Sequence, residues 1–166
     1  MQKISVNDKM QRDYFYECVA SVGEAFDPLF TPELTPKEML ELGVFGGKYL
    51  NDCQSEFPVD WFLNAKLSQV KDTSLNYFSV DASQPLSEWV KKGWIHPQDP
   101  RGWFQWYCRY FIGRRTAIED QRQIKRWRAF VRHAGAIKKY CEPYDYQCRK
   151  KQRQALFHWA YDARNI

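Results

Sequence analysis

The second half of the chain carries basic side chains whose types and spacing suit contact with phosphate groups. Arg114 and Arg115 are adjacent, and further cations follow at helical spacing: Arg122, Lys125, Arg126, Arg128 and Arg132. Each phosphate that such side chains neutralise releases condensed counterions, and the arginine fork matches phosphate oxygens and base edges. Because acidic neighbours are few, the array predicts binding to nucleic acid, DNA rather than RNA.

The net charge divides unevenly along the chain. Residues 1–90 hold 7 basic and 14 acidic side chains, a net charge of −7, whereas residues 91–166 hold 18 and 6, a net charge of +12. A one-sided excess of this kind indicates a polyanionic partner. Three alternatives remain open: a solvated face without a partner, neutralisation by the acidic half of the same molecule, or an adaptor that binds an acidic protein.

Aromatic side chains crowd the segment that precedes the basic array. Six Trp and Tyr residues lie within 22 positions: Trp89, Trp94, Trp103, Trp106, Tyr107 and Tyr110. Exposed rings stack on unpaired bases, although any single ring in such a run is more often part of the core. Trp94, near Pro97 and outside a clear helical pattern, is the predicted exposed ring, and we assign it to the nucleic-acid interface.

The pair Gly46-Gly47, followed by Lys48, indicates a different chemistry. Two glycines let backbone amides approach an anion, which Lys48 would neutralise. An enzyme acting on a nucleobase, nucleotide or other phosphorylated substrate would draw on the residues that follow, with Asp52 or Glu56 as general base or metal ligand and Cys53 as nucleophile. A tight turn with solvated acids is the alternative. No His and Cys spacing matches a zinc finger, so we predict neither a bound metal nor a cofactor.

The elements that would position these residues are mainly helical. We predict a single compact domain over residues 1–166, with an acidic part (1–84) and a basic helical part (85–166). Apolar residues at four-residue spacing, from Met10 to Val22, predict a first helix capped by Asp8. A capping box at Thr35-Pro36-Lys37-Glu38 predicts a short second helix. Residues 68–84 are the least patterned and are either an extended segment or a long loop.

Two helices dominate the predicted basic part. Asp99-Pro100 would cap a helix over residues 100–113 that is apolar nearly all round and therefore buried at the centre. A capping box at Thr116-Ala117-Ile118-Glu119 would start an amphipathic helix over 117–134, with the cations on its outer face. A last helix would follow Asp145 and end at about Tyr161.

Cysteine content and hydropathy favour a cytoplasmic protein. The chain starts without the apolar run of a signal peptide and has no stretch long enough to cross a membrane. Its five cysteines are odd in number and include no Cys-x-x-Cys pair. We therefore expect reduced thiols, several of them buried, and no membrane partner.

Two segments carry a resemblance to known proteins. The first is Leu42–Tyr49 with Asp52-Cys53 and Glu56-Phe57-Pro58; the second runs from Asp99 to Arg109, through Gly113-Arg114-Arg115, to Arg122–Trp127. They resemble a family of small tryptophan-rich microbial and viral proteins whose function is uncharacterised. The resemblance covers most of residues 35–130 and implies no activity, cofactor or catalytic residue.

Overall fold

The computed structural model describes residues 1–166 and is mainly helical with one small sheet. Strands β1 (Gln2–Val6) and β2 (Tyr14–Cys18) form an antiparallel hairpin. The helices are α1 (Pro36–Glu41), α2 (Leu86–Lys91), α3 (Trp103–Ile112), α4 (Ala117–Ala129), α5 (Val131–Tyr140) and α6 (Lys150–His158). Single 3-10 turns occur at Gln54–Glu56, Val59–Phe62, Thr73–Leu75 and Ala163–Asn165. None of the helices has the length and apolar composition that crossing a membrane requires.

The prediction of a first helix after Asp8 is wrong, because this segment forms the hairpin, and the fold is therefore not purely helical. Tyr16 and Cys18 are buried while Phe15 and Glu17 are exposed, which is the two-residue period of a strand. The β propensity of the aromatic run outweighs the four-residue spacing of apolar side chains. Asp8 does accept hydrogen bonds from two following backbone amides, but these bonds close a turn instead of capping a helix.

Helix α3 forms the centre of the core, as predicted, and every residue in it except Phe111 is buried. The ring of Phe30 packs against its aromatic face and against α4, with centroid distances of 5.0–6.3 Å to Trp103, Trp106, Tyr107, Tyr110 and Trp127. The helix begins at Trp103 and not at Pro100. Asp99 does not cap it, because the Asp99 carboxylate turns inward to two arginines.

The predicted amphipathic helix over 117–134 is divided in two at Phe130. The Phe130 ring stacks on Trp159 with 5.1 Å between centroids, and beyond this point α5 packs on α6. The predicted capping box also fails to form. The amide of Thr116 donates to Asp120 at 2.7 Å instead, and Asp120 also accepts from the Trp106 indole at 2.8 Å.

Two of the five cysteines depart from the expectation of reduced thiols. Cys141 and Cys148 form a disulfide that joins the end of α5 to the segment before α6. The other three, Cys18, Cys53 and Cys108, are free and buried.

A buried ionic network fastens α3 to the hairpin and to the Gln54–Glu56 turn. Arg109 is fully buried and donates to Glu56 at 2.6 and 3.2 Å and to Asp99 at 3.1 Å. Asp99 also accepts from Arg114 at 2.7 Å, and the Tyr16 hydroxyl donates to Glu56 at 2.8 Å. Each charge is thereby paired in the interior, which is the condition under which burial of charge is tolerated.

The ion pairs between the acidic part (1–84) and the basic part (85–166) all lie in or beside this network. They join Arg109 to Glu56, and Arg101 to Asp52 and Asp8. The cations on the surface of α4, α5 and α6 take no part in them. Neutralisation by the acidic part therefore involves Arg101 and Arg109 and leaves the exposed cations of α4, α5 and α6 unpaired with it.

Asp99→Asn should destabilise the fold strongly, because it leaves Arg109 short of one carboxylate and Arg114 without any. Loss of one partner of a buried pair costs about 3–5 kcal/mol, and we expect a decrease of this order in the free energy of unfolding by urea. Asp60→Asn is the matched control, since Asp60 pairs with Lys37 at the surface and should cost less than about 1 kcal/mol. Equal effects of the two substitutions would contradict the prediction.

Candidate nucleic-acid interface

An aromatic cleft of about 540 Å³ opens between the 81–95 segment, α3, α4 and α6. We use the name aromatic cleft for the surface formed by Phe45, Tyr49, Trp89, Trp94, Trp103, Phe104, Phe130 and Trp159. Its size is that of a pocket for a small organic ligand. Trp94 is 40% exposed at the cleft, as predicted for a ring that could stack on a base. The ammonium of Lys92 lies 4.8 Å from the centre of the Trp94 ring.

Three cations line the aromatic cleft: Lys92, Arg126 and Lys151. Arg126 is the most informative, because its guanidinium lies 5.2 Å from the Trp159 ring and binds Gln123 and the Trp94 carbonyl, with no carboxylate partner. Burial, with Arg122 nearby, lowers the pKa of Arg126 to about 10. The one acid in the cleft, Asp81, is paired with Lys71 at 2.6 Å. The cleft thus presents uncompensated positive charge beside aromatic rings.

A second cleft, which we call the basic cleft, adjoins the first. It has a volume of about 630 Å³ and shares five lining residues with the aromatic cleft: Phe45, Tyr49, Ser83, Gln84 and Trp89. Its cations are Lys9, Lys48, Lys71 and Arg101. Lys48, a predicted phosphate contact, is exposed and forms no ion pair. The two clefts together form one groove, aromatic at one end and basic at the other.

The predicted basic face, which α4 and the first turn of α5 now share, is only partly free. Lys125 and Arg128 on α4 and Arg132 on α5 are exposed and have no carboxylate within ion-pair distance. Arg122 is bound to Glu119 through bonds of 2.6–3.1 Å, which leaves it partly neutralised. Arg126 faces the aromatic cleft, whereas the three exposed cations line neither cleft.

The adjacent pair Arg114 and Arg115 does not lie on this face. Arg114 is 3% exposed and serves the buried network, so it is not available to a phosphate at the surface. Arg115 donates to four backbone carbonyls and stacks at 3.8 Å on the Tyr110 ring. The guanidinium of Arg115 thereby holds the 24–25 loop against the end of α3, and both arginines act within the fold.

The structure brings the candidate catalytic residues to one cavity beside the hairpin, which Asp52, Cys53 and Glu56 all line. Asp52 also lines the basic cleft, where Arg101 binds its carboxylate at 2.8 and 3.1 Å and lowers its pKa. Burial raises the pKa of Cys53 to about 12. A protonated thiol is a weak nucleophile, and a carboxylate held by arginine is a weak base. The arrangement thus favours ion binding over catalysis at these positions.

The glycines before Lys48 pack against protein and do not cradle an anion. The Gly47 carbonyl accepts from the Ser68 amide, and the Gly46 carbonyl accepts from the Asp72 amide. A Cβ at Gly47 would approach the Ser68 nitrogen to 2.8 Å, so the close approach that requires glycine is to this neighbouring segment. Their role is to hold the loop that carries Lys48 into the basic cleft.

Sequence reasoning found only some of the groove residues. Trp89 was one of the six rings before the basic array, but no pattern singled out Phe45, Lys92 or Trp159 for the interface. These residues come from three distant segments, so no local spacing relates them. The sequence feature that could have pointed to these residues was the excess of tryptophan in a chain whose second half is strongly basic.

Acidification should destabilise the protein through His158, which lies in the aromatic cleft and donates to the Val44 carbonyl at 3.1 Å. Burial lowers the pKa of His158 to about 4, whereas the unfolded chain takes up the proton near its usual value of about 6.5. The contribution of neutral His158 to the free energy of unfolding is therefore fully present above the unfolded pKa. It is lost as the pH falls from the unfolded to the folded pKa, with a slope that approaches about 1.4 kcal/mol per pH unit. His158→Gln should reduce the slope measured by urea unfolding between pH 7 and pH 5, and an unchanged slope would contradict this assignment.

Comparisons of the chain with models of protein families, with curated proteins and with solved structures found no match. The resemblance to small tryptophan-rich proteins therefore stays a prediction. What can be said of function depends on the groove and on the exposed cations beside it.

Proposed function

We propose that the protein binds single-stranded nucleic acid, with DNA as the partner, along the groove formed by the aromatic and basic clefts. The observation that supports this most is the meeting of aromatic rings with uncompensated cations in one concave surface. Proteins that bind single strands combine these two features, because bases stack on aromatic rings while the backbone follows positive charge.

The shape of the groove favours a single strand over a duplex. Its rings line a cleft instead of standing on a convex helix, so they can reach only bases that are unpaired and turned outward. Trp94 at the cleft opening is the ring available to stack on a base, and Lys92 lies against it.

The charges around the groove favour a polyanion over an acidic protein. Arg126, Lys92 and Lys151 line the aromatic cleft, and Lys48 and Lys9 line the basic cleft. Lys125, Arg128 and Arg132 add exposed positive charge on α4 and α5 outside the two clefts. A linear array of this kind suits a repeating phosphate backbone. An adaptor function would appear in the experiment below as an absence of affinity for any nucleic acid.

The enzyme hypothesis retains one supporting observation, since Lys48 and Asp52 line the same cleft. The pairing of Asp52 with Arg101 makes general-base catalysis the weaker alternative. Asp52→Asn separates the two: a nucleotide-processing enzyme would lose turnover, whereas a binding protein would keep its affinity.

Fluorescence anisotropy with a labelled oligothymidine of about ten nucleotides tests the proposal. This length lies within the range of about 4–16 nucleotides that known domains for single strands cover. Affinity should fall steeply with salt, with a slope of about 0.7 per phosphate contact in a plot of log affinity against log salt. Matched RNA and duplex DNA should bind more weakly. A salt-independent affinity, or a preference for duplex, would reject the proposal.

Substitutions should separate stacking from charge. Trp94→Ala should weaken binding by about 1–3 kcal/mol, the contribution of one stacked base, and leave the salt slope unchanged. Lys92→Gln with Lys151→Gln should reduce the slope by about 1.4, because two phosphate contacts in the aromatic cleft are removed. Lys37→Gln is the control, since Lys37 lies on α1 and outside the groove. An effect of Lys37→Gln equal to that of the cleft pair would indicate a nonspecific charge effect and count against the groove.

A further inference from the structure

A third cavity, of about 520 Å³, lies between β1, the turn after it and the Gln54–Glu56 turn. It shares only Asp52 with the groove and therefore forms a separate site. Four side chains with metal-binding atoms line it: Asp8, Asp52, Cys53 and Glu56. Arg101 binds both carboxylate oxygens of Asp52, and the other three residues form a cluster. One ligand atom from each residue lies within 4.8 Å of those of the other two. The hairpin thus brings a distant carboxylate to the Cys53–Glu56 pair.

The Asp8 carboxylate gives a second, independent observation that points to a ligand at this cavity. Its side chain is 8% exposed, and its Oδ1 accepts from the Met10 and Gln11 amides. Its Oδ2 is buried without any hydrogen-bond partner. A buried carboxylate oxygen with no partner is costly and calls for a donor or a cation.

The other two groups have capacity for a further partner. Glu56 Oε1 accepts from Arg109 and from Tyr16, whereas Oε2 accepts one bond, at 3.2 Å from Arg109. A carboxylate oxygen has two lone pairs, so Oε2 can bind a cation while the Arg109 pair persists. Cys53 has only a 3.6 Å contact to the Leu50 carbonyl, which is weak for a thiol.

The charges of the buried network are not balanced. Three guanidinium groups, those of Arg101, Arg109 and Arg114, face four carboxylates in five ion pairs, and the carboxylates are Asp8, Asp52, Glu56 and Asp99. The network as drawn therefore carries a net charge of −1. Lys3, the one cation that lines the cavity, is exposed and forms no ion pair.

We propose that Asp8, Cys53 and Glu56 bind one divalent transition-metal cation, with zinc as the best match. A thiolate with two carboxylates suits zinc better than magnesium or calcium, which prefer oxygen ligands alone. On binding, the Cys53 thiol forms a bond from sulfur to the metal and releases its proton to solvent. The added charge of +2 and the new thiolate charge of −1 bring the network to neutrality. The fourth coordination position would face the cavity.

Titration of the full-length protein with cobalt(II) alone, as a spectroscopic substitute for zinc, tests the site. We expect a stoichiometry of one, a near-ultraviolet charge-transfer band from sulfur to cobalt, and displacement of the cobalt by zinc. Saturating zinc should also raise the unfolding temperature, because the folded state binds the metal and the unfolded chain lacks the assembled site. If the protein binds no metal at a concentration of about 100 μM, the proposal is wrong.

Variants assign the ligands. Cys53→Ser should abolish the charge-transfer band, and Asp8→Asn should weaken zinc binding by at least roughly tenfold while keeping the Oδ1 hydrogen bonds. Cys18→Ser is the matched control, a buried thiol on β2 outside the cavity, and it should leave the band intact. If Cys53→Ser does not fold, Asp8→Asn and the control carry the test. A band that survives Asp8→Asn at full affinity, or that is lost in Cys18→Ser, would show that the metal binds elsewhere.

Discussion

The pairing of Arg109 with Glu56 and Asp99 is the constraint on which the rest of the molecule depends. A fully buried guanidinium needs its carboxylates in place, and these come from the turn before the Val59–Phe62 segment and from the loop before α3. Their positions in turn align β2 through Tyr16 and the end of α3 through Arg114. The hairpin also contributes Val6, Tyr16 and Cys18 to the hydrophobic core, so apolar packing and these polar bonds together hold it to the helices.

This arrangement explains why the opposite charges of the two chain halves do not cancel at the surface. The acidic part pairs Asp8, Asp52 and Glu56 with Arg101 and Arg109, and Lys125, Arg128 and Arg132 stay exposed without a carboxylate partner. The structure therefore separates two populations of arginine that look alike in sequence. One population, which includes Arg153 on α6, is buried within the fold, and the other is exposed at the surface.

Sequence patterns predicted the elements whose signals are local. The capping box at Thr35 and Glu38 is present with both of its reciprocal bonds, and α3 is the buried aromatic helix that its composition indicated. The patterns failed where a distant partner decides the outcome. Asp99 looked like a helix cap and became an internal counter-ion, and the segment after Asp8 followed its strand pairing over its helical spacing. The division at Phe130 depends on Trp159, which no local pattern could reveal.

The sequence predicted a surface that is basic and aromatic, but not where that surface lies. Trp94 and Arg126 line the aromatic cleft and Lys48 lines the basic cleft, whereas Lys125, Arg128 and Arg132 are exposed and line neither. Arg114 and Arg115 do not contribute to this surface, because their bonds to Asp99 and to backbone carbonyls withdraw them from it. Charge counting along a sequence cannot separate an arginine that pairs internally from one that stays free.

The buried network also limits how this protein can change over evolutionary time. Replacing any one of Glu56, Asp99, Arg109 or Arg114 unbalances the buried ion pairs. A single substitution at one of these positions therefore gives a less stable protein. Positions 56, 99, 109 and 114 should accordingly vary together among descendants of this chain, or not at all. The exposed cations of α4 carry no such linkage and are free to drift one at a time.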